Sequence, residues 1–141
     1  MPSVFSRIID GELPARFVWK DDLCVAFLSN RPLRMGHTLV VPRRQVDHWT
    51  DLEAELRDHL FATAQRLGRA VKDAFGAARA GLVIAGLEVP HCHLHVVPVD
   101  RLSDLDFSRQ DPNPDPAEMD QAAAAIHSAL QQLGYVEAGG E

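Results

Sequence analysis

Long apolar runs are missing from this chain of 141 residues. No stretch approaches the roughly 20 apolar residues that span a bilayer. The opening Met1-Pro2-Ser3-Val4-Phe5-Ser6-Arg7 lacks the apolar core of a secretory signal. Cysteine is scarce as well. Cys24 and Cys92 are the two present, far apart and outside any C-x-x-C pair, which excludes a disulfide scaffold. A cytoplasmic setting and no membrane partner are therefore expected. An excess of positive charge is also lacking. The net charge of −6 excludes a general nucleic-acid binder. With neither repeats nor a linker, residues 1–141 read as a single domain, large enough to bury a core without staples.

The charge that is present is uneven. Residues 1–50 hold seven Lys and Arg against five Asp and Glu, and residues 51–141 hold seven against fifteen. Arg31, Arg34, Arg43 and Arg44 lie close together in sequence and suit either a small anion or a solvated surface.

Local patterns predict a short helical turn over Phe5–Ile9, strands at Phe17–Lys20 and Cys24–Leu28, and a β-rich run Thr38–Val41 bounded by Gly36 and Pro42. Thr50 and Glu53 have capping-box spacing. Leu52, Leu56, Leu60, Leu67, Val71 and Phe75 recur at helical spacing up to Gly76. His59 beside that stripe reads as a boundary residue. Leu82–Ala85 and His93–Val99 read as two more strands, Asp100–Pro116 as a long surface loop. Asp115 and Pro116 open a last helix that runs to Leu133, with Gly134 as its stop and a frayed tail after Tyr135. Strands, helix, strands, helix is the grouping of an α+β domain with an antiparallel sheet.

The segment His91-Cys92-His93-Leu94-His95-Val96-Val97 places three histidines on one face of an extended strand and an apolar set on the other. Three readings compete. The first is a structural surface. The second is a metal site drawing further ligands from His37, His48 or Glu88. The third is nucleophilic catalysis at phosphorus, with one imidazole attacking and its neighbours orienting it. A histidine titrates near about 6.5, so a neutral nucleophile is available at neutral pH.

This segment resembles the H-φ-H-φ-H-φ-φ signature of the histidine triad (HIT) family. The resemblance extends to the opening Phe5–Ala15, to the hairpin from Asp21 to Leu28, to Gly36-His37-Thr38-Leu39-Val40-Val41-Pro42, and to the lead-in Ala85-Gly86 with Val89. It covers roughly residues 4–99, leaving a loop and C-terminal helix at 100–135. It implies a HIT-like fold, a five-stranded antiparallel sheet with one long central helix and a C-terminal helix. It further implies that His93 attacks the α-phosphorus of a nucleotide and becomes a covalent nucleotidyl-histidine. The His91 carbonyl would fix the His93 tautomer, and His95 with His37 would stabilise phosphate oxygens or assist proton transfer. Phe5, Ile8, Phe27 and Leu28 would line the base pocket, with Ser29, Glu88 and Val89 also at the substrate.

The implied activity is a nucleotide hydrolase or transferase of the Hint-like branch, acting on a purine nucleoside phosphoramidate or related nucleotide. Cys92 stands where the nucleotide-sugar transferase branch has proline. The alternative is a purine-nucleotide-binding module without turnover. A homodimer with a continuous sheet is implied too. The sequence departs from the family's pattern at four places. Ser29 replaces an acidic residue that holds the ribose, Ala80 an asparagine, and Leu87 a glutamine, with Glu88 where a small hydroxyl residue is common. Ser3 and Ser6 replace the cysteines with which some relatives, together with a histidine matching His48 and the first triad histidine, hold a structural zinc. No metal and no cofactor are therefore expected.

Overall fold

The computed structural model describes residues 1–135, so the tail expected to fray lies outside the described residues. A short helix α1 (Val4–Ile9) precedes strands β1 (Phe17–Lys20), β2 (Cys24–Leu28) and β3 (Thr38–Pro42). Helix α2 (Ala54–Phe75) follows, then β4 (Arg79–Val83), β5 (Leu94–Val99) and helix α3 (Pro116–Gln132). The five strands form one sheet in the order β1-β2-β3-β5-β4, every neighbour antiparallel. The expected α+β class and sheet are thus observed.

Alternation divides the sheet into two faces. Cys24, Ala26, Leu28, Val40, Leu94 and Val96 point into a core closed by α2 and α3 through Leu60, Leu67, Val71, Ile126 and Leu130. A fully buried leucine such as Leu60 or Leu67 contributes roughly 2 kcal/mol by leaving water. The opposite face carries Val25, Phe27, Leu39 and Val41, covered by Phe5, Ile8 and Ile9 of α1. The same alternation that buries Leu94 and Val96 against α2 therefore turns His93 and His95 toward the α1 side.

The β1–β2 hairpin is fixed by Asp21. Its Oδ1 accepts from the backbone N–H groups of Leu23 and Cys24, each at 2.8 Å, and its Oδ2 from Trp19 Nε1 at 2.8 Å and His59 Nε2 at 2.7 Å. His59 is thus a half-buried strut between α2 and the hairpin. The α3 start is as the sequence predicts, with the Asp115 carboxylate accepting from Glu118 N and Pro116 at the first position.

Four elements differ from expectation. Thr50 and Glu53 form no capping box. Trp49–Asp51 is a 3-10 turn, Leu52 is extended, and α2 begins at Ala54 with Glu53 as an N-cap whose side chain makes no capping bond. Leu52 is pinned in the core, and that anchor outweighs the local signal. Strand β4 lies three residues earlier than its apolar run suggested, because pairing with β5 (Gly81 opposite Val97) sets its position. Strand β5 starts at Leu94 rather than His93. The stretch expected to be loop holds two 3-10 turns, Leu102–Leu105 and Phe107–Arg109. Among the described residues no helix is long and apolar enough to cross a membrane.

Candidate active site

A cleft of about 710 Å³ opens where α1, the C-terminal end of β2 and the lead-in to β5 converge. Phe5, Ile8, Phe27, Leu28, Ser29, Glu88, Val89, His93 and His95 all line it. His37 and His91 do not line it. They are buried behind the two cleft-facing rings, so the expected face of three imidazoles presents two. Leu28 is shared between the cleft and the α2–α3 core.

Hydrogen bonds fix the tautomers of both cleft-facing rings. His93 Nδ1 is 2.8 Å from the carbonyl oxygen of His91. A carbonyl only accepts, so Nδ1 carries the proton and Nε2 keeps its lone pair. His95 is set by a relay. The backbone N–H of Leu33 donates to His37 Nδ1 at 3.0 Å, so the His37 proton sits on Nε2. That Nε2 donates to His95 Nδ1 at 2.9 Å, which leaves the His95 proton on Nε2. In their neutral forms the two imidazoles thus have opposite character, one a lone-pair donor and the other an N–H donor.

Burial keeps the relay neutral. Loss of hydration, reinforced by the nearby His93, brings His95 down to about 4. Loss of hydration, then His95 and His93, brings His37 down to about 3. His95 therefore acts at neutral pH as a hydrogen-bond donor and not as an imidazolium acid.

Phe107 is a contributor the sequence reading did not single out. Its ring stands edge-on to His95 with centroids 4.9 Å apart, and to His37 at 6.3 Å. Its segment is strapped to the β2–β3 connection: Gln110 Nε2 donates to Arg31 O at 2.9 Å, Asp111 N to Pro32 O at 2.9 Å, and Arg34 bridges Asp100 and Asp104 at 3.1 Å each. The segment 100–111 thus covers the His37–His95 end. Its one aromatic residue in a polar stretch was the available signal.

The expected arginine group disperses. Arg34 is held by the two aspartates, Arg43 donates to Asp21 O at 2.7 Å, and Arg44 reaches Glu53 at 3.4 Å. Arg31 alone of the four lines the cleft, together with Arg16, which pairs with Asp120 at 2.7 Å. Ser29 is buried and its hydroxyl accepts from Arg31 N at 3.2 Å. Ala80 lines a separate cavity between α2 and β4, and Leu87 is 93% exposed. Neither lines the histidine cleft.

Among the described residues, Asp21, Cys24 and His59 have ligand-type atoms within 4.8 Å of one another. The carboxylate is already saturated by the hairpin. Burial works to raise it, but the bonds from Trp19, Cys24, His59 and Leu23 outweigh that and bring it down to about 2. Burial and then the Asp21 charge push the Cys24 thiol up to about 12. The cluster has the character of a structural brace.

The family model of the HIT domain matches residues 10–102. An uncharacterized HIT-like protein of Borreliella burgdorferi is 32% identical over 113 residues, which are 75% of this chain and 81% of that protein. The bifunctional bis(5'-adenosyl)-triphosphatase/adenylylsulfatase of Arabidopsis thaliana is 37% identical over 90 residues, 60% of this chain and half of that protein. The crystal structure of a Zn-bound histidine triad family protein from Mycobacterium smegmatis is 31% identical with a TM-score of 0.77, covering 92% of this chain and 94% of that one.

Proposed function

The chain belongs to the HIT-domain family of histidine triad proteins, and on that premise we propose that it is a nucleotide hydrolase or transferase working through a covalent nucleotidyl-His93. The observation that carries the reading is the hydrogen bond from His93 Nδ1 to the His91 carbonyl at 2.8 Å. It leaves the Nε2 lone pair unprotonated beside the N–H of His95. In the proposed first step Nε2 forms a bond to the α-phosphorus while the bond to the leaving group breaks, and the leaving group takes that electron pair together with, for an amine, a proton from solvent. The Nδ1 proton stays on the ring, held by the His91 carbonyl, whose dipole offsets the positive charge that develops there. His95 Nε2–H donates to a phosphoryl oxygen as negative charge builds there. Water then attacks phosphorus, Nε2 leaves with its pair, and the water proton passes to solvent. Holding the reactants in line and stabilising charge are the main demands of such transfer.

The lining of the cleft supports the proposed substrate class. Phe5, Ile8, Phe27 and Val89 offer an apolar wall for a base, and Ser29, Arg31 and Glu88 line the same cleft. A purine nucleoside phosphoramidate is the proposed substrate, in a cytoplasmic setting that suits the free, buried Cys24 and Cys92. The test is AMP release from adenosine phosphoramidate by wild type and His93→Ala, with and without chelator. Release by wild type alone, insensitive to chelator, is the expected result. Tight AMP binding with no release by wild type would overturn the enzyme reading in favour of a nucleotide-binding module.

We also propose a homodimer. Strand β4 is the sheet edge, its Leu82 is 47% exposed, and the adjoining α2 face with Phe61, Gly68 and Lys72 leaves a cavity of about 320 Å³. An unpaired edge beside an apolar hollow suits a second copy of the same strand. A monomer in light scattering at micromolar concentration would count against it. Zinc is named for the Mycobacterium smegmatis neighbour. The positions that the family resemblance matches to the zinc ligands of some relatives do not fit the ion in this chain: they offer the hydroxyls of Ser3 and Ser6, and His48 has 71% of its side chain exposed, near Asp47.

A further inference from the structure

The positions that do not fit zinc are not idle. His91 is fully buried and both its ring nitrogens are engaged. Nε2 lies 2.7 Å from Pro42 O and therefore carries the proton. Nδ1 is then an acceptor, and the Ser3 hydroxyl donates to it at 2.6 Å. The same Ser3 Oγ accepts from Ser6 N at 3.0 Å, capping α1. The Ser6 hydroxyl donates to Gln45 Oε1 at 3.0 Å, and that oxygen also accepts from Ser3 N at 2.9 Å. Gln45 Nε2 donates to Met1 O at 3.1 Å. The cluster closes on protein groups alone: two hydroxyls, one amide and one imidazole, with no thiolate and no carboxylate. No polar atom within it is left waiting for an ion.

Two paths lead from this cluster to the attacking ring. The first runs through His91 itself, whose carbonyl holds His93 Nδ1. The second runs through α1. Ser3 caps the helix, and Phe5 within its first turn stands edge-on to His93 at 4.9 Å and to His91 at 5.8 Å. Phe5 also lines the cleft. Fixing the N-terminus of α1 therefore fixes both the orientation of the nucleophile and one wall of the substrate site.

We propose that Ser3, Ser6 and Gln45 form a metal-free latch that positions His93 through His91 and α1, doing with hydrogen bonds what a bound ion would do with ligand bonds. Ser3 is a positioning residue, since it touches His91 and not the reacting atoms. The kinetic part of the proposal rests on His93 as the nucleophile; the tautomer part does not.

The experiment compares wild type, Ser3→Ala, Ser3→Thr and Gln45→Ala. Zinc content is measured after purification in zinc-supplemented medium. Long-range proton–nitrogen NMR at neutral pH reads the ring tautomers of His91 and His93. Kinetics with adenosine phosphoramidate separate kcat from KM. The expected wild type holds substoichiometric zinc and shows His91 protonated on Nε2 and His93 on Nδ1. Ser3→Ala should shift the His91 Nδ1 and His93 nitrogen signals, with Pro42 still holding the His91 proton on Nε2, and should lower kcat by about tenfold to a hundredfold. Ser3→Thr should restore both readouts. Gln45→Ala, at an exposed residue and so tolerant in folding, should show a smaller shift in the same direction.

One zinc per wild-type chain, with a melting temperature that falls on chelation, would overturn the proposal. So would a Ser3→Ala or Gln45→Ala protein that melts lower yet keeps wild-type His91 and His93 nitrogen shifts and kcat. A wild type without turnover would sink the nucleophile reading. The nitrogen-shift comparison would still decide the latch.

Discussion

Lowering the pH from 7.5 to 5 is expected to destabilise this protein through His37 and His95. Both rings are buried, at 1% and 5% exposure, so solvent screening takes little from the effect. Loss of hydration foremost holds His95 at about 4 and His37 at about 3, against 6.5 for an unhindered histidine. Between about pH 6.5 and 4 the unfolded chain binds protons that the native rings refuse. Stability therefore falls as the pH drops through that window and levels off once the native rings also titrate. Each pH unit over which the unfolded ring is protonated and the native ring is not costs about 1.4 kcal/mol. The assay limit of pH 5 lies about 1.5 pH units below the unfolded titration, which makes ~2 kcal/mol per ring. The two rings share one hydrogen bond and titrate as a pair, which brackets the total at ~2–4 kcal/mol. That is a large share of the roughly 5–15 kcal/mol typical of a domain.

The assay is urea unfolding at half-unit steps of pH, followed by tryptophan fluorescence from the buried Trp19, with the m-value checked for constancy. Asp21 does not interfere. Its folded value of about 2 lies below its ordinary 3.8, so its stabilisation is intact above about pH 4 and is lost only as the pH falls further. His37→Gln should remove one ring's share of the slope, up to ~2 kcal/mol by pH 5, because one of the buried rings is gone while the amide still donates to His95. His91, also lowered by burial first of all, adds to the slope in both proteins. A wild-type stability that is flat from pH 7.5 to 5, or a slope untouched by His37→Gln, would refute the neutral buried relay.

Replacing His37 by Gln or by Leu should separate donor from bulk: Gln keeps kcat within about threefold, while Leu, which frees the His95 tautomer, lowers it by about tenfold to a hundredfold. Phe107→Ala should lower stability by about 1–2 kcal/mol in thermal melts, since a half-buried ring is lost, and should reduce kcat more than it changes KM. Gly36→Ala should cost about 2 kcal/mol or more: the residue sits at φ +102°, and an added Cβ would lie 2.5 Å from the Phe75 ring. A melting temperature within a degree of wild type would contradict that. Arg31→Ala should raise KM for a nucleotide by about fivefold at low salt and less at high salt, with the melting temperature unmoved.

Elements governed by local chemistry were legible in the sequence. The β1–β2 hairpin, the Asp115–Pro116 helix start and the Gly76 stop each depend on a few adjacent residues, and each is found as read. Elements governed by distant partners were not. Leu52 is tied into the core, so the Thr50–Glu53 pattern goes unused. Strand β4 takes its place from β5, and as a sheet edge it exposes Arg79, Ala80 and Leu82, so hydrophobicity is a poor guide to its ends. The alternation of the three histidines did reveal which side of the sheet they share. It could not reveal that His91, ahead of the strand proper, turns inward to Ser3 and Pro42. The strap bearing Phe107 depends on Arg31, Pro32 and Arg34, some 70 residues upstream, and no local pattern encodes such a contact.

The two cleft-facing rings lie two residues apart on one stretch of chain yet present opposite chemistry, and the cause is what stands behind each. His93 is backed by an acceptor, a carbonyl of its own chain. His95 is backed by a donor, the Leu33 amide relayed through His37 from the β2–β3 connection. The terminal groups are backbone atoms, and His37 is the one side chain through which that control passes. The recognition half of the cleft is built differently. Ser29, Arg31, Glu88 and Asp120 line it as side chains, each free to change without disturbing a tautomer. Of the departures from the family pattern, Ser29 and Glu88 line the cleft, whereas Ala80 and Leu87 do not. On the proposed reading, the phosphorus chemistry is therefore held constant by the fold. Selectivity among nucleotides is set by the side chains around the ribose and the leaving group.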